Sequence, residues 1–160
     1  MSSLDVNKTY KLFIGGAFPR SESGRVYEIK GANKKFLANP ALASRKDLRD
    51  AVVAAKSAQS GWANATAFNR GQILYRIAEI MQGRSEQFVE EISALEGVTT
   101  KVAKLQVAEA IDTWVWYSGW CDKLSSISGS QNQVSGPFYN FTTPEALGVI
   151  ALFAEGKPSL

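Results

Sequence analysis

The run Leu147-Gly148-Val149-Ile150-Ala151-Leu152-Phe153-Ala154 constrains this 160-residue chain more than any other stretch. Polar and apolar residues do not alternate in it, which is the pattern of a strand covered on both faces, as in a parallel sheet. It leads into Glu155-Gly156-Lys157, a polar, glycine-bearing turn, and the sequence stops soon after on the apolar Leu160. A parallel strand needs crossover partners, and none follow. The expectation is an α/β protein of which this chain is the front part, incomplete as given.

Histidine is absent and there is one cysteine. Ser-His-Asp and Cys-His catalysis therefore cannot be built from this chain alone. The same count leaves too few ligands for a zinc site of His or Cys type, and no metal site is expected. Neither a Walker-type phosphate loop nor a G-x-G-x-x-G fingerprint occurs. The net charge is +3, with basic residues scattered and densest at Lys34-Lys35 and Arg45-Lys46; a nucleic-acid footprint would need a longer stripe. No apolar run approaches the ~20 residues of a membrane span. Met1 to Asp5 is polar, without a signal-peptide apolar core. With a single thiol, the expected setting is cytoplasmic.

The first forty residues read as short strands, Tyr10 to Ile14, Ala17 to Pro19, Val26 to Ile29 and Phe36 to Ala38. Gly15-Gly16, Ser21 to Gly24 and Gly31 to Lys35 turn the chain between them, a hairpin pattern closed by Asn39-Pro40. Four helices follow. Ser44 with Asp47 forms a capping-box pattern, ahead of a stripe of Leu48, Ala51, Val52, Ala55, Ala58 and Trp62, with Gly61 as its stop. Thr66 caps a second helix with Ile73, Leu74, Ile77, Ile80 and Met81 on one face, ended by Gly83. Ser85 caps a third carrying Phe88, Val89, Ile92 and Leu95, closed by Gly97. Thr99 or Thr100 starts a fourth that extends toward Leu124, with Val102, Leu105, Ala108 and Ile111 inward and Trp114, Trp116, Tyr117 and Trp120 in its second half. Ser125 to Gly136 is a polar loop or the start of an exposed hairpin. Phe138 to Thr143 alternates as a strand with one wet face.

Most chemistry-bearing residues have structural readings. Cys121 lies near a helix C-terminus, where the dipole disfavours a thiolate. The tryptophans place apolar surface on two faces of one helix, as at a core or subunit contact, against the alternative of a ligand platform. Glu90, Glu91, Glu96, Glu109 and Asp112 are weighed as an acid-base set, but the spacing puts Glu86 and Glu90 on one helix surface without a basic partner, a solvated face, and nothing marks a catalytic acid. Phe153, Ala154, Glu155, Gly156 and Lys157 stand apart. Ligands bind beyond the carboxyl ends of strands in open α/β sheets. There a glycine admits close backbone approach and Lys157 can meet an anion.

An ordered set of segments resembles the aldehyde dehydrogenase superfamily. It comprises Leu12-Phe13-Ile14-Gly15-Gly16 with Ser23-Gly24, Arg45 to Leu48 with Ala51 to Lys56 and Gly61-Trp62, and Asn69-Arg70 with Ile73 to Ala78. It continues through Glu96-Gly97, Tyr117 to Leu124 and Pro144 to Val149. The resemblance implies the N-terminal portion of an NAD(P)-dependent oxidoreductase with a Rossmann-type cofactor domain. Residues 131–143 would form its oligomerisation hairpin, and a homo-oligomer or the remainder of the same protein its partner. NAD or NADP would bind the full protein, with no tight binding by this chain alone. The family's cysteine nucleophile and glutamate base lie further along, so the chain is catalytically incomplete as given. Glu155-Gly156-Lys157 stands where active members carry Pro-Trp-Asn, and Lys157 takes the position of the oxyanion-holding asparagine. That departure resembles the divergent, non-catalytic aldehyde-dehydrogenase-like domains in which the fold serves assembly. A third alternative, an unrelated helical binding module, requires the Leu147–Ala154 segment to be surface-exposed.

Overall fold

A computed structural model describes residues 9–154. Ser44 sets the first helix, α1 (Arg45–Asn64), through a complete capping box. Its hydroxyl accepts the Asp47 N–H at 3.2 Å, and the Asp47 carboxylate accepts the Ser44 N–H at 2.8 Å. Gly61 does not stop the helix. The chain leaves it at Ala65, whose backbone is extended, and the Ala65 N–H closes on the Gly61 and Trp62 carbonyls. Thr66 then caps α2 (Ala67–Gly83) by accepting the Asn69 N–H at 3.1 Å. Arg70 in its first turn donates to the Ala63 and Ala65 carbonyls, covering acceptors that the end of α1 leaves open.

The third helix, α3 (Ser85–Glu96), begins one residue earlier than the Ser85 cap predicts. Arg84 ends α2 and starts α3 at once, so Ser85 is already helical and no side chain caps the turn. Gly97 closes α3 at φ 72°, and a Cβ there would lie 2.5 Å from that of Ala32, so the position requires glycine on both counts. Thr99 caps α4 (Thr100–Trp120). This helix stops before Leu124, at a turn through Cys121 to Lys123, and a short α5 (Leu124–Ser128) follows.

α4 is the spine of the bundle, with α2 and α3 packed along it. The core is Val89 and Ile92 of α3 against Ala103 and Val107 of α4, with Phe88, Val98 and Ile111 around them. Ala103 is 0% exposed. Gly71 lets α2 approach closely, since a Cβ there would sit 3.0 Å from the Ser118 carbonyl.

Two predicted faces are rotated. On α4, the inward residues are Ala103, Val107, Ala110 and Ile111, whereas Val102, Leu105 and Ala108 face solvent, with Leu105 63% exposed. On α1, Leu48, Val52 and Trp62 are exposed and Asp47, Ala51 and Ala54 turn inward. On α2, Ala78 and Met81 are buried, Leu74 and Ile77 partly so, and Ile73 and Ile80 exposed.

The N-terminal strands are shorter than predicted and are not all hairpins. They are β1 (Thr9–Tyr10), β2 (Ile29–Lys30) and β3 (Phe36–Pro40), in the order β1-β3-β2. β2 and β3 form an antiparallel hairpin, but β1 runs parallel to β3, pairing Thr9 with Asn39 and Tyr10 with Pro40. β2 lies on the opposite edge of β3 from β1. After α5, β4 (Ser130–Asn132) and β5 (Asn140–Thr142) pair antiparallel. Asn132 ties them by donating to Asn140 and Thr142, both at 3.0 Å. All six residues are exposed, so β5 has two wet faces rather than one.

The predicted buried strand does not form. Leu147–Ala154 has no regular structure, and Leu152 and Phe153 are 92% and 87% exposed. No strand among the described residues lies beside it. An extended apolar segment without a neighbour has neither ladder hydrogen bonds nor a covering layer.

The register of α4 is testable by charge. Val107→Asp should destabilise the chain by about 3 kcal/mol or more, through burial of an unpaired carboxylate. Leu105→Asp should stay within about 0.5 kcal/mol of the parent. Denaturant melts of the two variants check this, and equal losses would place both residues in the core.

Candidate cofactor-binding segment and its surroundings

Of the residues singled out at the strand end, Phe153 and Ala154 are exposed at the end of the extended segment. Glu155, Gly156 and Lys157 lie outside the described residues. What the structure positions firmly is the helical frame preceding them. A groove of about 620 Å³ runs between α2 and α4, lined by Leu74, Gln106, Ala110, Thr113, Trp114 and Tyr117. The aromatic half of α4 is a connected cluster. Trp116 meets Tyr117 edge to face at 4.8 Å and Trp120 at 5.1 Å. Trp114 is half-buried and Trp116 exposed, as expected of a helix with apolar residues on two faces.

Cys121 is partly covered, in a second groove with Phe68, Tyr75 and Arg76. Its thiol contacts the Tyr117 carbonyl at 3.6 Å. The ammonium of Lys123, also lining this groove, is engaged by Asp122 at 2.9 Å and by the Gly119 carbonyl at 2.6 Å. The hydrogen bond from Lys123, with its charge, holds the Asp122 carboxyl below its ordinary range. Among the described residues the thiol hydrogen-bonds to the Tyr117 backbone carbonyl, not to a side-chain base.

The acidic residues differ in their surroundings. Glu86 and Glu90 are exposed and Glu91 accepts from Gln87 at 3.0 Å, but Glu96 is buried and accepts from Gln106 at 3.4 Å. Among the described residues no three potential ligands converge on a metal position. No helix among them is long and apolar enough to cross a membrane.

Sequence reasoning read Asp47 as a cap and missed its second role. The residue is 7% exposed. Besides the Ser44 N–H, it accepts the Ser21 hydroxyl at 2.7 Å and the Glu22 N–H at 3.2 Å. One carboxylate thus anchors the 21–24 turn to α1. These hydrogen bonds, led by that from the Ser44 backbone, hold its pKa at about 2.

The family model for the aldehyde dehydrogenase family matches residues 18–154. The chain belongs to the aldehyde dehydrogenase family. It is 33% identical over 162 residues to cytosolic 10-formyltetrahydrofolate dehydrogenase of Mus musculus, covering 95% of this chain and 17% of that protein. It is 31% identical over 159 residues to the mitochondrial enzyme of Homo sapiens, with the same coverage. The chain therefore spans about a sixth of the length of these relatives. Among solved structures, PnpE in complex with nicotinamide adenine dinucleotide superposes with a TM-score of 0.77 at 26% identity, covering 82% of this chain and 27% of that one. Salicylaldehyde dehydrogenase from Pseudomonas putida G7 gives 0.79 at 20% identity over 87% and 28%, a likeness of fold. The helices and short sheets are thus a fragment of the aldehyde dehydrogenase fold. Exposure of residues 147–154 does not make the chain an unrelated helical module.

The Asp47 clasp has a pH signature. Its carboxyl pKa falls on folding from 3.8 to about 2, so the stabilisation is complete above pH ~4 and is lost as pH falls through that interval. Melting temperatures should drop more steeply between those pH values in the parent than in Asp47→Asn, which should be less stable near neutral pH. Parallel acid limbs would show that Asp47 does not carry the effect.

Proposed function

We propose that this chain is part of an NAD(P)-dependent aldehyde dehydrogenase-like oxidoreductase and is catalytically incomplete by itself. The observation that carries the reading is the family match over residues 18–154, which takes in the four long helices and reaches the exposed Phe153 and Ala154. The superposition on an NAD complex supports a cofactor role for that segment. Phe153 and Ala154 are accessible from solvent, and Gly156 would let the backbone approach a dinucleotide closely. Bound NAD(P) would supply the hydride acceptor, while Phe153 to Lys157 would help hold it.

On this reading the chain's own residues orient and shield; they do not attack. Cys121 sits at the C-terminal end of α4, where the helix dipole opposes a thiolate. Lys157 could donate hydrogen bonds to an oxyanion, without the amide geometry of asparagine.

Glu155-Gly156-Lys157 in place of the family's Pro-Trp-Asn favours a second reading, a non-catalytic assembly domain of the same fold. In both readings we assign residues 131–143 to oligomerisation. The fully exposed β4–β5 hairpin, with Phe138, Tyr139 and Phe141 on the surface, offers a second subunit backbone and aromatic groups. Homo-oligomers, or the rest of the same protein, are the partners this suits, rather than nucleic acid or membrane. The single thiol suits the cytoplasm.

The purified chain should produce no NADH from NAD and an aldehyde, and Cys121→Ser should change nothing. Absorbance of NADH at saturating substrate is the measurement. Turnover that depends on aldehyde and disappears in Cys121→Ser would make this cysteine the nucleophile and overturn the reading.

A further inference from the structure

Three stretches distant in sequence meet in a cleft of about 220 Å³, lined by Thr9, Tyr10, Lys11, Arg20, Ser21, Gly24, Arg25, Val26 and Ala41. Backbone hydrogen bonds fix its walls. Leu12 N–H donates to the Pro19 carbonyl at 3.1 Å, setting the Lys11 stretch beside Arg20. The 21–24 turn closes from Gly24 N–H to the Ser21 carbonyl at 2.9 Å, with Gly24 at φ 66°, so Arg20 and Arg25 flank one tight turn. Ala41 N–H donates to the Tyr10 carbonyl and Leu42 N–H to the Arg25 carbonyl, both at 2.9 Å, bringing the third stretch against the first two.

Lys11, Arg20 and Arg25 thus line one cleft, and among the described residues none of them makes an ion pair. Of the nearby acids, one is paired and the other accepts only from neutral donors. Asp47 accepts from Ser21, Glu22 and Ser44, and Glu22 takes Lys46 at 3.5 Å and the Ser44 hydroxyl at 3.2 Å. Three cations around one cleft, against the single negative charge of Asp47 behind Ser21, leave the local potential positive. Guanidinium groups match phosphate oxygens through paired N–H donors.

We propose that this cleft binds a phosphate group, either free phosphate or the head of a small phosphate ester. Its volume of about 220 Å³ is many times the ~10–15 Å³ that a cavity needs to hold one water. That accommodates a phosphate and part of its hydration. The Asp47–Ser21 hydrogen bond holds the turn between the two arginines and so preorganises the cleft. The proposal goes beyond the oxidoreductase reading, because residues 153–157 take no part in it.

Calorimetric titration of the whole chain with inorganic phosphate, and separately with glycerol phosphate, tests it. At least one titration should saturate. Binding of the free ion alone assigns the cleft to phosphate itself, and binding of the ester alone to a phosphorylated metabolite. The double variant R20Q/R25Q should weaken that binding about tenfold or more, whereas K34Q/K35Q, which removes the same charge elsewhere, should leave it within about twofold. Far-UV circular dichroism checks folding. If R20Q/R25Q does not fold, K11Q carries the test, with an expected loss of about threefold. Absence of saturable binding to both ligands, an equal loss in K34Q/K35Q, or unchanged affinity in the folded R20Q/R25Q or, in its place, K11Q would overturn the proposal.

Discussion

The close seating of α4 against α3 at Ala103 and Val107 is the interaction on which the rest depends. Only a small residue fits where Ala103 is fully enclosed, and that fit fixes which side of α4 faces inward. Once it is fixed, α2 takes its place along the same helix, with Gly71 against the Ser118 carbonyl. Gly97 then sends the chain from α3 into α4 through a left-handed turn hemmed in by Ala32. Interiors packed this tightly transmit any change of register to all their neighbours.

The same choice leaves a second apolar surface uncovered. Leu105, Ala108 and Trp116 occupy the outer side of α4, Leu48, Val52 and Trp62 the outer side of α1, and no strand among the described residues lies beside Leu147 to Phe153. Contiguous exposed apolar faces mark interaction sites. In a family whose solved members are several times the length of this chain, these faces account for why the helices are apolar on two sides. A helix must offer one stripe to its bundle and another to whatever covers the bundle.

Local signals were legible in the sequence and nonlocal ones were not. The Ser44–Asp47 box spans three residues and was readable, as were the Thr66 cap and the Gly97 stop. The phase of α4 was not, because Val102, Leu105 and Ala108 are as apolar as Ala103, Val107 and Ala110. Hydropathy cannot choose between two such stripes. Ser85 misled because it has the right chemistry for a cap, but Arg84 had already joined two helices. The Leu147–Ala154 run was read as a strand from its composition, yet a strand exists only with a partner. The contact of Asp47 with Ser21 crosses 26 residues, and the three cations of the cleft come from stretches that form no motif. For the candidate site, Phe153 to Lys157 came from resemblance and strand position, and the structure places only its first two residues.

Light scattering on the purified chain at micromolar concentration tests most directly the claim that these faces need covering. The account predicts dimers, larger associates or aggregation, with exposed aromatic and aliphatic surface driving them. A clean monomer with a single cooperative melt would contradict it, and would mean that the described elements satisfy one another as a complete small domain.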